Sequence, residues 1–203
     1  MHMATSIEVD TQDREYTRRL VRMQRVWWKR WLDVQAPYRR NLLQLQPGLT
    51  LEVGCGIGRN LRHLGGNGVG VDRNPYSVRA AREWGLRAYT PDEFHGSEWD
   101  HPARFDSLLL SHVAEHMHRG QLLSLLREHL GYVRSGGQLI LITPQEVGFR
   151  SDPTHVEFMD TAALRSVADE LGLLPVRDYS HPFPRAFGRV FIYNQFVSVS
   201  RKP

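Results

Sequence analysis

The sequence predicts an α/β fold: one mostly parallel seven-stranded sheet with helices between the strands and an antiparallel C-terminal edge. Three observations carry this expectation. From Leu49 to Leu171, short apolar runs ending in glycine or polar residues alternate with segments of helical period, the pattern of strand–helix–strand units that pair in parallel. The last two strand-like runs, Leu173 to Tyr179 and Val190 to Ser200, have only a Pro-rich connection between them. Without a crossover helix, such a pair forms an antiparallel edge. A chain of 203 residues with 41% hydrophobic content fills one core and needs no second fold.

The first element is helical. Between residues 10 and 45, Tyr16, Leu20, Met23, Trp27, Trp31 and Val34 recur at threes and fours, and Arg14, Arg18, Arg22, Arg25, Lys29 and Arg30 take much of the remainder. This is an amphipathic basic pattern whose apolar face docks on the domain. Residues 1–46 are accordingly expected to form an N-terminal helical cap of the same domain as residues 47–203. In one reading the arginines are solvated; in the other the segment caps a site, its aromatics walling an acceptor and Arg39 or Arg40 holding an anion. Attachment to an anionic membrane is the weakest reading, because the apolar face is needed for docking.

Pro47 and Gly48 break that helix and deliver the chain to a strand, Leu49 to Val53. The strand meets the turn Gly54-Cys55-Gly56-Ile57-Gly58, and Arg59, Asn60 and Leu61 open a short helix running to about Leu64. Glycines suit a turn that a ligand's polar group approaches, since they accept positive φ and expose the backbone, and the following helix start offers unpaired N–H groups. A second strand, Val69 to Val71, ends in Asp72, where an acid can take both hydroxyls of a ribose. The spacing suits a nucleoside. Arg59 stands where a dinucleotide fingerprint wants its last glycine, which argues against NAD.

A helix follows from about Pro75 to Trp84, with Pro at its start and Gly85 at its stop. Leu86 to Tyr89 is the third strand. After it, Asp92 reads either as the cap of a short helix or as a ligand residue. A polar stretch, His95 to Arg104, leads to the fourth strand, Asp106 to Leu110. Gln121 to Leu130 is a helix, Ser135-Gly136-Gly137 a turn and Gln138 to Thr143 the fifth strand. A loop-rich stretch, Val147 to Asp160, precedes a helix capped by Asp160 or Thr161 and ended by Gly172.

E-V-G-C-G-I-G (Glu52 to Gly58) and V-G-V-D (Val69 to Asp72) resemble the first two motifs of the class I S-adenosylmethionine (SAM)-dependent methyltransferases. FDSLLLSHVAEHM (Phe105 to Met117) and SGGQLILITP (Ser135 to Pro144) resemble that family's fourth strand and its fifth strand with preceding turn. The likeness runs from about Pro47 to the C-terminus and is nearest to small-molecule O-methyltransferases of the ubiquinone-biosynthesis type. It implies a Rossmann-like fold, SAM as cofactor with S-adenosylhomocysteine as product, and methylation of a hydroxyl on a sugar, lipid-linked or secondary metabolite, an anionic acceptor included. By the same resemblance Gly54, Gly56 and Gly58 admit the methionine part, Asp72 the ribose and Asp92 the adenine edge, with Glu52, Arg73 and Ser111 completing the cofactor set.

Two histidines are candidates for removing the hydroxyl proton, since imidazole titrates near neutrality. His155, in Ser151-Asp152-Pro153-Thr154-His155-Val156-Glu157-Phe158, resembles an H-x-x-x-F position on the acceptor side of related enzymes, and is the first choice. His112, after the fourth strand, is the second. His112 to His116 also spells H-x-x-E-H, an inverted zincin pattern that would place two zinc ligands on one helical face with Glu115 as base. Because it directly follows a core strand, no metal is expected and a zinc hydrolase is disfavoured.

Composition bounds the remaining classes. Net charge is +4 and the sequence pI near 9.5, with Lys29 and Lys202 the only lysines. Such a balance is a mild pointer to anionic partners. No added recognition domain, stacking platform or N-P-P-Y-like motif supports a nucleic-acid or protein substrate, and SAM binding without turnover is the other alternative. The lone Cys55, together with the lack of a signal-like or membrane-length apolar run, reads as cytoplasmic. The expected state is a monomer or homodimer.

Overall fold

The computed structural model describes Asp33 and residues 35–203. The basic, Trp-rich part of the expected N-terminal helix therefore lies outside the described residues. Its end is present as α1 (Ala36–Gln44). Leu42 is buried there among Leu109, Ile140, Ile142, Val197 and Val199, and Tyr179 donates to Asn41 Oδ1 at 2.8 Å. Arg39, expected to hold an anion, pairs with Asp33 at 2.7 Å, and Arg40 is exposed.

The sheet has seven strands: β1 (Thr50–Val53), β2 (Gly68–Val71), β3 (Ala88–Tyr89), β4 (Phe105–Ser111), β5 (Val133–Pro144), β6 (Leu174–His181) and β7 (Gln195–Arg201), in the order β3-β2-β1-β4-β5-β7-β6. β1 to β5 pair in parallel, and β7 runs antiparallel to both β5 and β6. The expected mostly parallel sheet with an antiparallel C-terminal edge is what forms. Along the central strands successive side chains serve opposite layers: Leu108 and Leu110 join Leu51, Leu139 and Leu141, whereas Leu109 joins Ile140 and Ile142. This two-sided burial explains why β4 reads as a continuous apolar run.

The helices are α2 (Arg59–His63), α3 (Pro75–Glu83), α4 (Pro91–His95), α5 (Arg119–Leu130), α6 (Glu146–Arg150) and α7 (Thr161–Glu170). Leu122 and Leu126 of α5 and Leu164 and Val167 of α7 bury into the first layer. Leu61 of α2 packs with Val78 and Ala81 of α3 on the other. Asp160 caps α7 by accepting from Ala163 N at 2.9 Å. Three local expectations are corrected, the first being that Val190 to Asn194, expected as strand, only lead from a 3-10 turn (Arg185–Arg189) into β7 at Gln195. Ser135 to Gly137 belong to β5: the register jumps from Phe105↔Val133 to Ser107↔Gln138, and the intervening residues bulge at Gly136, φ 73°. The cap of α4 is Thr90, locked with Glu93 in a reciprocal box, so Asp92 lies inside the helix and does not cap it.

The strand order reverses between β1 and β4. In open α/β sheets the crevice outside the carboxyl ends of the strands at such a switch is where ligands bind. The turns after β1, β2 and β4 meet there.

Candidate active site

Gly54, Gly56 and Gly58 have φ of 74°, 53° and 79°, conformations that L side chains adopt only under strain. Gly54 N and Cys55 N both donate to Val71 O, at 2.8 and 3.2 Å, which ties the turn to β2. Gly54 and Gly58 also have a packing reason. A Cβ on Gly54 would stand 2.4 Å from Val113 Cγ2, and one on Gly58 2.4 Å from Leu86 Cδ1. The space the missing Cβ leaves at these two is taken by protein, so both glycines are set by packing as well as by backbone conformation.

Two acids flank the turn and differ in kind. Asp72, half-buried, accepts Gly56 N on Oδ2 at 2.7 Å and Asn74 N on Oδ1 at 2.8 Å. Burial raises its pKa, against the pull of those two N–H groups. Glu52 is 2% exposed. It accepts Asn60 Nδ2 on Oε1 at 2.7 Å, and its Oε2 has no partner. Burial pushes this carboxyl up to about 8, the Asn60 contact opposing.

Beyond Asp72 a cleft of about 370 Å³ is lined by Arg73, Pro75, Thr90, Pro91 and Asp92. Arg73 and Asp92, distant in sequence, are thereby brought together. These groups fit a nucleoside with a charged amino-acid tail. The cleft opens beyond Asp72 at the end of β2, and Glu52 keeps a spare buried oxygen on the other flank of the turn.

On the other side of the switch, Ser111 ends β4 and His112 follows at φ 58°. His112 Nδ1 lies 3.2 Å from Glu115 Oε1 and Nε2 3.1 Å from Gln195 Oε1. Its side chain is 36% exposed, whereas that of Glu115 is wholly buried. Gln195 sits in a buried amide network. Gln145 Nε2 donates to Gln195 O at 3.1 Å and to Ser180 Oγ at 2.8 Å, and Asn194 Nδ2 donates to Gln145 Oε1 at 3.1 Å.

His155, the first choice for a base, is placed differently. Its Nδ1 donates to Phe149 O at 2.7 Å, its ring stacks on Phe149, and Nε2 faces Glu115 Oε1 at 4.0 Å. Nε2 thus faces the same carboxyl oxygen that His112 Nδ1 contacts. The loop carrying it is pinned by Val156 N and Glu157 N, which donate to Glu115 O at 2.7 and 3.2 Å.

The H-x-x-E-H pattern does not lie on a helix. His112 is in the strand-end turn, and only Ala114–His116 form a 3-10 turn. His112 and His116 thus share no helical face, and the zincin geometry is absent. Sequence reasoning missed Gln195, which enters from the start of β7 with no motif around it, and Gln145, whose role exists only through the antiparallel pairing.

A family model described as a methyltransferase domain matches residues 22–177. No curated protein matches the sequence significantly. Among solved structures the chain is similar to a SAM-dependent methyltransferase from Archaeoglobus fulgidus (17% identity, 87% of this chain and 98% of that one covered, TM-score 0.65). It is also similar to an S-adenosylmethionine-dependent methyltransferase from Mesorhizobium loti (13%, 83% and 97%, TM-score 0.59). A third likeness is to magnesium protoporphyrin IX methyltransferase from Synechocystis with bound S-adenosylhomocysteine (14%, 84% and 86%, TM-score 0.58). At these identities each likeness is one of fold.

Proposed function

The chain belongs to the methyltransferase-domain family and is a SAM-dependent methyltransferase, and we propose that its acceptor is the hydroxyl of a small molecule, with His112 taking the proton. The observation that carries this reading is the convergence of the glycine turn, Asp72 and His112 at the β1/β4 switch, with Val113 packed on Gly54. SAM, when bound, supplies a methyl group made electrophilic by a sulfonium. The chain's own residues align the oxygen, exclude water and accept a proton. Asp72 and the Gly54–Gly58 backbone bind, Arg73 and Asp92 flank the base, and Ser111 borders the tail.

His112 suits the proton transfer better than His155. With Nδ1 donating to the buried Glu115 carboxylate, Nε2 holds the lone pair, and an imidazolium formed there is stabilised by Glu115. The Gln195 amide beside Nε2 can present its NH₂ to the neutral ring and its oxygen to the charged one. By this reading His155 does not itself take the proton, because its Nδ1 is committed to Phe149 O. His112→Asn should lower kcat by about 10²–10⁴-fold and leave SAM affinity within about twofold. The test is turnover against a panel of hydroxylated and amine acceptors, with SAM binding measured in parallel. Equal loss of SAM binding and turnover would remove His112 from the chemistry, and methylation confined to amines would remove the hydroxyl. The absence among the described residues of a helix long and apolar enough to cross a membrane is compatible with either a free or a lipid-linked acceptor.

A further inference from the structure

Beside the switch crevice lies a second cluster: Glu115, His116 and His155, whose ligand atoms all stand within 4.8 Å of one another. We propose that these three residues form a site for a divalent first-row transition ion such as Zn²⁺ or Mn²⁺. Three features of the cluster point to a cation. First, both histidines are oriented by backbone carbonyls. His155 Nδ1 donates to Phe149 O at 2.7 Å and His116 Nδ1 to Thr154 O at 3.2 Å. A carbonyl can only accept, and Thr154 Oγ1, 3.1 Å from His116 Nδ1, gives its own proton to Asp152, so each Nδ1 carries a proton and each Nε2 a lone pair. Such outer-shell hydrogen bonds are what fix metal-ligating imidazoles.

Second, Glu115 is fully buried, with Oε1 facing His155 Nε2 at 4.0 Å and Oε2 without a partner. A buried carboxylate oxygen left unpaired is costly unless something cationic meets it. Third, the cluster is assembled by structure and not by chance proximity of loose side chains. Glu115 O receives two N–H groups from the loop carrying His155, and Asp152 holds that loop by accepting Thr154 N and Oγ1 at 3.0 and 2.7 Å. Donors of a four-coordinate ion stand roughly 3.4 Å apart, for bonds of about 2.1 Å. The observed separations, up to 4.8 Å, require up to about 1.4 Å of closure.

Two imidazoles and one carboxylate favour Zn²⁺, Mn²⁺ or a neighbour over the oxygen-seeking Mg²⁺ and Ca²⁺. Three protein ligands leave a position open for water or a substrate oxygen. Glu115 links this site to the other histidine, since its Oε1 contacts His112. On the methyltransferase reading above, and only on it, an acceptor hydroxyl in the open position would be made more acidic by the ion. The ion site itself stands without that reading.

The test is binding of the metal alone. The full chain is stripped with chelator, dialysed against Zn²⁺ or Mn²⁺ in the absence of SAM, and assayed for bound ion; Co²⁺ loading adds a visible spectrum that reports imidazole ligation. One ion per chain is expected. Affinity should fall by more than about a hundredfold, the upper end of outer-shell losses, in Glu115→Gln and in His116→Asn, and stay unchanged in the exposed-histidine control His101→Asn. Circular dichroism of the metal-free variants shows whether each is folded, and the half-exposed His116 supplies the decisive variant if Glu115→Gln does not fold. No stoichiometric ion, affinity indifferent to both substitutions, or preference for Mg²⁺ over Zn²⁺ would overturn the proposal. Because SAM is absent from the assay, its outcome is separate from that of the methyltransferase reading.

Discussion

At the scale of single residues, the two acids beside the glycine turn are held differently. Glu52 has its carboxyl raised by burial from 4.5 to about 8. A folded-state pKa above the unfolded one means the native protein binds the proton more tightly. Its contribution to stability is thus fully present below about pH 4.5 and is lost as pH rises through about 8. Glu52→Gln, which keeps an acceptor for Asn60, should raise stability at about pH 9 by about 2–5 kcal/mol, from about 1.4 kcal/mol per pH unit. At about pH 4 it should change little. Urea titrations at the two pH values check this. Asp72 and Glu52 were legible in the sequence because a strand end next to a glycine turn is a place that chemistry uses. That Glu52 is buried with a spare oxygen was not legible, since it depends on Asn60 and the helix packed above. His155 was readable only as a histidine in the right loop, and the carbonyl of Phe149 and the carboxylate of Glu115 decide where it points.

At the scale of elements, the glycine turn is a joint before it is a ligand cradle. Gly54→Ala brings a Cβ to 2.4 Å from Val113 Cγ2 at φ 74°. It should destabilise the fold by about 2–4 kcal/mol through overpacking and backbone strain combined. Gly65→Ala, also at positive φ but with nothing within 4 Å, isolates the strain component and should cost about 1 kcal/mol. Thermal melts of the two variants compare them directly. Strand and helix identities were legible from period and from Gly and Pro punctuation. The β5 bulge at Gly136 and the cap of α4 were not, because a register jump and the choice between Thr90 and Asp92 depend on which neighbour the backbone meets. The antiparallel edge was legible from the missing helix, yet its consequence was hidden: β7 delivers Gln195 to His112 across 83 residues of chain.

At the scale of the whole molecule, the strand order places everything chemical at one switch. β1, β2 and β4 end together, so residues near positions 54, 72 and 112 share a crevice although no local pattern joins them. The sequence named most of these residues through a family likeness, and the fold explains why they belong together. The acceptor's chemistry is a matter for the turnover panel. The central claim is that this crevice binds SAM through Asp72, and calorimetric titration of the chain with SAM and separately with NAD, repeated on Asp72→Ala, tests it most directly. Micromolar SAM binding, about 8 kcal/mol, no NAD binding, and loss of SAM binding in a folded Asp72→Ala variant are the results expected. Failure of the wild-type chain to bind SAM, or binding unaffected by Asp72→Ala, would contradict it.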